Sequence, residues 1–404
     1  MSVNSFWGSV LLIAGTAIGA GMLALPIATS LSGFIPSLFI FLFCWLVMLM
    51  AAFLFLEVNL SMKKGSHVIS MASYTLGAWG KYVSWLAYLG LLYTLITAYI
   101  SASAPILSMA FQEFFGRPLN ITYALFILPL LFGSAIYFKA KGVDLINRLL
   151  MMGLALSFLL LIFFLPGHCT SKLLGRSAFC YSWISLPVVI TSFGYHVIIP
   201  SLVTYMQRDR KRIRRALLVG SGIPLIIYIL WQLLILGSIP FEGKVGLLGA
   251  WQKGESAIHP LLSLFPYRSI QLGGYGFSFF AIITSFIGVS LSLSDLLIDG
   301  LKIGRHRRGK LMAWMLTFCP PLIFLFLFPT KFVIALEYAG LFVSLFLIFL
   351  PAMMAWRLKD SPYSSRWGKG FLLIIILCAW TIILVDLSQR IPYVRSLCLK
   401  GENV

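Results

Sequence analysis

Apolar stretches of roughly 18 or more residues recur along the whole chain, and this repetition limits the fold more than any single motif does. A stretch of that length crosses the hydrocarbon of a bilayer as an α-helix. In lipid every backbone N–H and C=O needs an internal partner, so only helices and closed barrels span it. Barrel strands alternate polar and apolar residues, and these stretches do not. The chain therefore reads as an all-α integral membrane protein, one transmembrane domain over residues 1–404, with 60% hydrophobic and 11% charged residues.

About eleven spans are expected: Ser5 to Ser30, Phe34 to Leu60, Tyr82 to Phe111, Ile121 to Phe138, Leu145 to Leu165, Ser182 to Met206, Ala216 to Ile239, Tyr275 to Asp299, Leu311 to Phe328, Phe332 to Trp356 and Phe371 to Ser388. The first has no Lys or Arg before it and is too long for a signal-peptide core, so it is expected to be retained. A net charge of +19 raises the question of nucleic acid, and the distribution of charge answers it. With the N-terminus cytoplasmic, the even-numbered loops hold 21 of the 31 Lys and Arg residues, above all in "QRDRKRIRR" (Gln207 to Arg215) and "KIGRHRRGK" (Lys302 to Lys310). That is the positive-inside bias of a multi-pass membrane protein, with lipid headgroups rather than nucleic acid as the anionic partner.

Cys44, Cys319 and Cys378 fall within spans and read as small packing residues. Cys169 and Cys180 share the loop after the fifth span, on the side expected to be oxidising, so a disulfide between them is anticipated. No Cys/His spacing suggests a metal site, and no phosphate-binding or nucleotide motif implies a cofactor.

Two spans are interrupted. In "IAGTAIGAGMLALP" (Ile13 to Pro26), Gly15, Gly19 and Gly21 precede a closing proline; in "PVVITSFGYHVIIP" (Pro187 to Pro200), Thr191, Ser192, Gly194 and His196 break an apolar run that also ends in proline. Such residues release backbone groups that only protein or a polar cavity can satisfy. The interruptions lie five spans apart, and an odd number of spans inverts the second copy of a repeat. Paired interruptions of this kind point to a secondary transporter with inverted repeats, here about 5–165 and 182–356, and an appended helix at about 371–388.

"GTAIGAGMLALP" and "LPVVITSFGYHVIIPSLVTYM" resemble the two signature segments of the hydroxy/aromatic amino acid permeases, and the chain is most similar to the tyrosine-specific members. The resemblance implies a five-plus-five inverted repeat of the leucine-transporter type, with helices 1 and 6 broken. It also implies proton-coupled uptake of an aromatic amino acid.

The expected site follows. Unwound N–H groups at Ala17, Ile18, Gly19, Ala20 and Gly21 would receive the substrate carboxylate. Phe193 and Tyr195 would supply rings for a flat slot, Ser192 and His196 polar groups beside Gly194, and Tyr93 and Thr97 a closing face from the third span. Intramembrane carboxylates are costly and mark candidates for coupling. Glu57 comes first, with Lys63 and Lys64 as its alternative ion-pair partners, and Glu337 near Lys331 second. Asp295, with Ser290 and Ser294, offers oxygens for sodium, the rival coupling ion. Asp299 shares a face with Asp295 beside the basic loop, and Asp386 ranks last. An embedded enzyme would need a convergent catalytic set, and none is found.

Overall fold

The computed structural model describes residues 3–63, 66–137, 143–243, 245–304, 306–328, 332–358 and 362–389. Among these, nine helices are long and apolar enough to cross a membrane, and two shorter apolar helices, Ser5–Ala17 and Ile121–Ser134, stand where the first and fourth spans are expected. The first falls short because its helix, Val3–Ala17, stops at the glycine-rich break.

In chain order, span 1 is Val3–Ala17, then an unwound turn, then short helical pieces Ala20–Leu23 and Leu25–Ala28. Span 2 is Phe34–Ser61, span 3 lies in Val68–Phe115, span 4 is Ile121–Tyr137 and span 5 is Val143–Phe164. Span 6 is split into Leu186–Ser192 and Ile199–Tyr205. Span 7 is Arg210–Ser238, span 8 Arg268–Gly300 and span 9 Arg307–Leu327. Span 10 runs from Phe332–Val343 through a π-helical stretch, Ser344–Phe349, to Leu350–Arg357, and span 11 is Arg366–Gln389. The helix containing span 3 begins earlier than expected and bends at Gly77, whose φ of 72° lies in the left-handed region open to glycine.

The two ends of the bundle are held differently. At the basic end Arg210 Nε, at the start of span 7, meets Glu57 Oε1 of span 2 at 2.8 Å. Arg208 donates to the carbonyls of Leu60 and Met62, and the Arg214 guanidinium lies 4.6 Å from the centroid of the Phe53 ring. Glu57 is thus paired with Arg210, and among the described residues it forms no ion pair with Lys63, one of the two lysines expected from proximity in sequence; the other, Lys64, lies outside the described residues. Aspartate 209 caps span 7, accepting the Arg212 N–H at 3.1 Å.

At the opposite end the loop after span 5 is strapped onto span 1. Arg176 Nη1 donates to the carbonyls of Ser30 at 2.7 Å and Leu31 at 2.8 Å, and its guanidinium lies 3.4 Å from the centroid of the Phe241 ring. Ala178 N–H donates to Ser32 O at 2.8 Å. Gly33 (φ 88°) allows this approach, since a Cβ there would collide with the Arg176 carbonyl.

The expected disulfide in this loop is not formed, and both cysteines are free. The Cys169 thiol is turned onto the end of span 7, with Sγ 3.2 Å from Ser238 Oγ and 3.7 Å from Leu234 O. Cys180 is exposed in a separate 3₁₀ turn, Phe179–Ser185. Packing of the loop has given the two sulfurs different neighbours.

Candidate functional site

The two interruptions lie against each other. A Cβ on Gly21 would be 3.0 Å from Ser192 Oγ, so the absence of a side chain at position 21 favours the close approach of span 1 to span 6. At the first break Ile18 N–H still bonds to Ala14 O at 2.9 Å, and helical bonding resumes with Met22 N–H to Gly19 O at 3.1 Å. Between them, the N–H groups of Gly19 and Gly21 have no hydrogen-bond partner among the described residues. Ala20 N–H is held by Ser285 Oγ of span 8 at 2.9 Å. At the second break Phe193 N–H bonds to Ile190 O at 3.2 Å and Gly194 N–H to Thr191 O at 3.1 Å, and regular bonding returns beyond Tyr195.

Tyr228 of span 7 joins the breaks. Its hydroxyl lies 2.7 Å from both Ala17 O and Ser192 O, and its ring centroid is 5.1 Å from that of Phe193. One turn further along, Gln232 Nε2 donates to Thr29 Oγ1 at 2.5 Å, tying the far half of span 1 to the same face of span 7.

The expected slot residues are only partly assembled together. Phe193 is buried beside the joined breaks, and the Ser192 hydroxyl is turned back to Val188 O at 3.0 Å. His196 points away toward span 2, where Nε2 lies 3.0 Å from Met48 O, with Tyr195 stacked on its ring and Phe55 at its edge. With Nε2 donating to that carbonyl, Nδ1 is a buried acceptor without a partner, and the Tyr195 hydroxyl is likewise buried, near the Ser221 hydroxyl but without a hydrogen bond of ordinary geometry. Tyr93 donates to Leu316 O of span 9 at 2.7 Å, and Thr97 Oγ1 bonds within its own helix to Tyr93 O at 2.8 Å.

The coupling candidates are dispersed. Glu57 is buried at the basic end in its pair with Arg210, and Glu337 is half-buried in span 10; Lys331, its expected neighbour, lies outside the described residues. Ser290 and Ser294 are buried on one face of span 8, and Ser290 Oγ has no partner, but Asp295 is exposed on another face, so the three do not converge. Asp299 is exposed, and Asp386 is buried in span 11. Among the described residues no group of three or more His, Cys, Asp or Glu side chains could hold a metal ion.

Three features had no expectation in the sequence: Tyr228, Ser285 and the π-helical stretch of span 10. The last lies beside the second break, where a Cβ on Gly194 would be 3.7 Å from Leu347 Cδ1. Single π turns inside α-helices recur at functional positions.

Comparison with known proteins gives this arrangement its family. The tryptophan/tyrosine permease family model matches residues 2–386. The chain belongs to that family. This permease is similar to the tryptophan-specific transport protein of Pseudomonas aeruginosa, at 33% identity over 92% of each chain. It is also similar to tyrosine-specific transport system 2 of Haemophilus influenzae, at 31% identity over 95% of this chain and 97% of that one. Among solved structures it resembles MhsT in complex with L-phenylalanine, with a TM-score of 0.64 and 14% identity, covering 96% of this chain and 98% of that one. A mutant manganese transporter from Eremococcus coleocola aligns with a TM-score of 0.61 and 13% identity, covering 99% and 93%. At such identities these two structures speak to fold alone, which is the leucine-transporter-type fold with helices 1 and 6 broken. The permease is a membrane transport protein for aromatic amino acids and not an enzyme.

Proposed function

We propose that the permease imports tyrosine by proton symport, moving it through a mid-membrane site at the joined breaks by alternating access. The repeats would be residues 5–165 and 182–356, with 371–388 appended, in a bacterial inner membrane and with the N-terminus cytoplasmic. The observation that carries the reading is the pair of unpartnered N–H groups at Gly19 and Gly21, set beside a second broken helix. Unsatisfied backbone donors inside a membrane protein favour an anion, which here is the amino-acid carboxylate.

The side-chain end of the substrate would lie along span 6, with Phe193 as a wall. The buried Tyr195 hydroxyl and His196 Nδ1, which lack partners, are polar groups that a phenol can satisfy and a phenyl ring cannot. The bundle supports alternating access from one side. Ala20, Met22 to Leu25, Leu186 to Ile190, Ser192 and Phe193 are buried toward the strapped end, whereas Gly15, Thr16, Ser201 and Thr204 retain exposure toward the basic end. Glu57 is the first candidate proton carrier and Glu337 the second.

A second reading keeps the substrate and replaces the proton with sodium. It is favoured by Ser290, whose buried hydroxyl has no partner and could serve as an oxygen ligand together with Ser294. Uptake of radiolabelled tyrosine into proteoliposomes under an imposed pH or sodium gradient, competed by tryptophan and phenylalanine, tests both. Accumulation driven by the pH gradient and competed best by tyrosine is expected. Accumulation that requires sodium, or competition led by tryptophan, would replace the corresponding part of the reading.

A further inference from the structure

An α-helix passing through both breaks would bond Ala17 O to Gly21 N–H and Ser192 O to His196 N–H. Neither bond is present, so Ala17 O and Ser192 O are among the carbonyls that the breaks release. Both carbonyls converge on the Tyr228 hydroxyl, at 2.7 Å each, although they come from different halves of the chain. The phenol is fully buried and sits on span 7, which is continuous through this region and is not itself broken there.

We propose that Tyr228 is a positioning residue that couples the two breaks, taking up with one hydroxyl one released carbonyl from each and passing its single hydrogen between Ala17 O and Ser192 O. A phenol has one hydrogen to donate, so it cannot satisfy both carbonyls at once. The tie therefore has two states of similar geometry, one anchored on span 1 and one on span 6. A buried carbonyl left over in either state is under-satisfied and favours the arrival of another donor. Movement at one break changes the partner available to the other, which makes the breaks respond together. This inference rests on the proposed transport site only for what binds there; the tie itself is tested without substrate.

The test is hydrogen–deuterium exchange on the purified full-length permease, comparing Tyr228→Phe with wild type. Phenylalanine preserves the ring against Phe193 and removes only the hydroxyl. In the substrate-free protein, exchange in the segments containing Ala17 to Gly21 and Ser192 to His196 should rise together, by about tenfold if one buried hydrogen bond is lost. A rise in only one segment, or in neither, overturns the proposal. Should Tyr228→Phe fail to yield folded protein, wild type carries the test: saturating tyrosine should protect both segments with a single concentration midpoint, and protection of one alone overturns the tie. Wild type that binds no aromatic amino acid would refute the proposed function instead, and the substrate-free comparison, with Tyr228→Met where the phenylalanine variant does not fold, would still decide the role of Tyr228.

Discussion

Ser285 Oγ accepts the Ala20 N–H at 2.9 Å, and it stands so close to Gly19 that any Cβ there would collide with it. Span 8 thus anchors the unwound turn of span 1 through a contact that requires glycine at position 19. Gly19→Ala should reduce uptake at least about tenfold, by displacing Ser285 and losing a buried hydrogen bond of roughly 1 to 3 kcal/mol, with membrane insertion unchanged. Ser285→Ala removes the colliding oxygen, so Gly19→Ala/Ser285→Ala should transport no worse than Ser285→Ala alone. Uptake assays normalised to surface abundance check this, and wild-type activity in Gly19→Ala would refute it.

Gly21→Leu should abolish transport for a different reason. Its side chain would enter the join between the breaks, where Ser192 lies 3.0 Å from the position of a Cβ. Unlike the single Cβ of alanine, a leucine side chain extends well beyond that position, so a shift of the Ser192 hydroxyl alone cannot make room for it. Binding of labelled tyrosine to the purified variant should be lost; retained binding would move the carboxylate site elsewhere.

The breaks were legible in the sequence because glycine, proline and polar residues in an otherwise apolar span have a direct physical meaning. What holds the breaks was not. Tyr228 lies 211 residues from Ala17 and Ser285 lies 265 residues from Ala20, and an aromatic or a serine on an apolar helix looks like ordinary packing until its partner is known. The disulfide expectation failed similarly. Spacing in the loop permitted closure, but Cys169 had better neighbours in Ser238 and Leu234 of span 7. Glu57 could be read as an interfacial acid, though not that its partner would be Arg210, brought in by the packing of span 7 on span 2.

The free cysteines make a direct prediction. On intact cells, without reductant, exposed Cys180 should react with a membrane-impermeant maleimide faster than half-buried Cys169. Gel mobility should be the same with and without reductant. A reductant-dependent shift that disappears in Cys180→Ser would show a disulfide after all.

Glu57→Gln tests coupling. The side chain of Glu57 is 7% exposed and that of Arg210 44%, so the arginine can recover water when the charge opposite is removed, and the stability loss should be about 1 kcal/mol rather than that of a fully buried pair. Exchange of tyrosine across the membrane should persist while accumulation driven by a pH gradient is lost. Unchanged accumulation would remove Glu57 from the coupling mechanism and leave it as a strut between spans 2 and 7.

Selectivity is the most demanding prediction, because the residues expected to read the substrate face in different directions. His196 is committed through Nε2 to Met48 O, and Tyr195 stacks on its ring at a centroid separation of 4.9 Å, which orients the two buried atoms that lack partners, His196 Nδ1 and the Tyr195 hydroxyl. A site with such groups loses about 1 to 3 kcal/mol when they stay unpaired, so tyrosine should be preferred over phenylalanine by roughly one to two orders of magnitude. Tyr195→Phe removes one of these atoms and keeps the ring stacked, so the preference should shrink with general transport retained. His196→Ala removes both the acceptor and the bond to span 2, so the preference should fall further and the midpoint of thermal unfolding should drop as well. Competition assays with tyrosine, phenylalanine and tryptophan separate this from simple packing: an unaltered rank order in both variants would mean that Tyr195 and His196 only fasten span 6 to span 2, and that the selective groups lie elsewhere around the breaks.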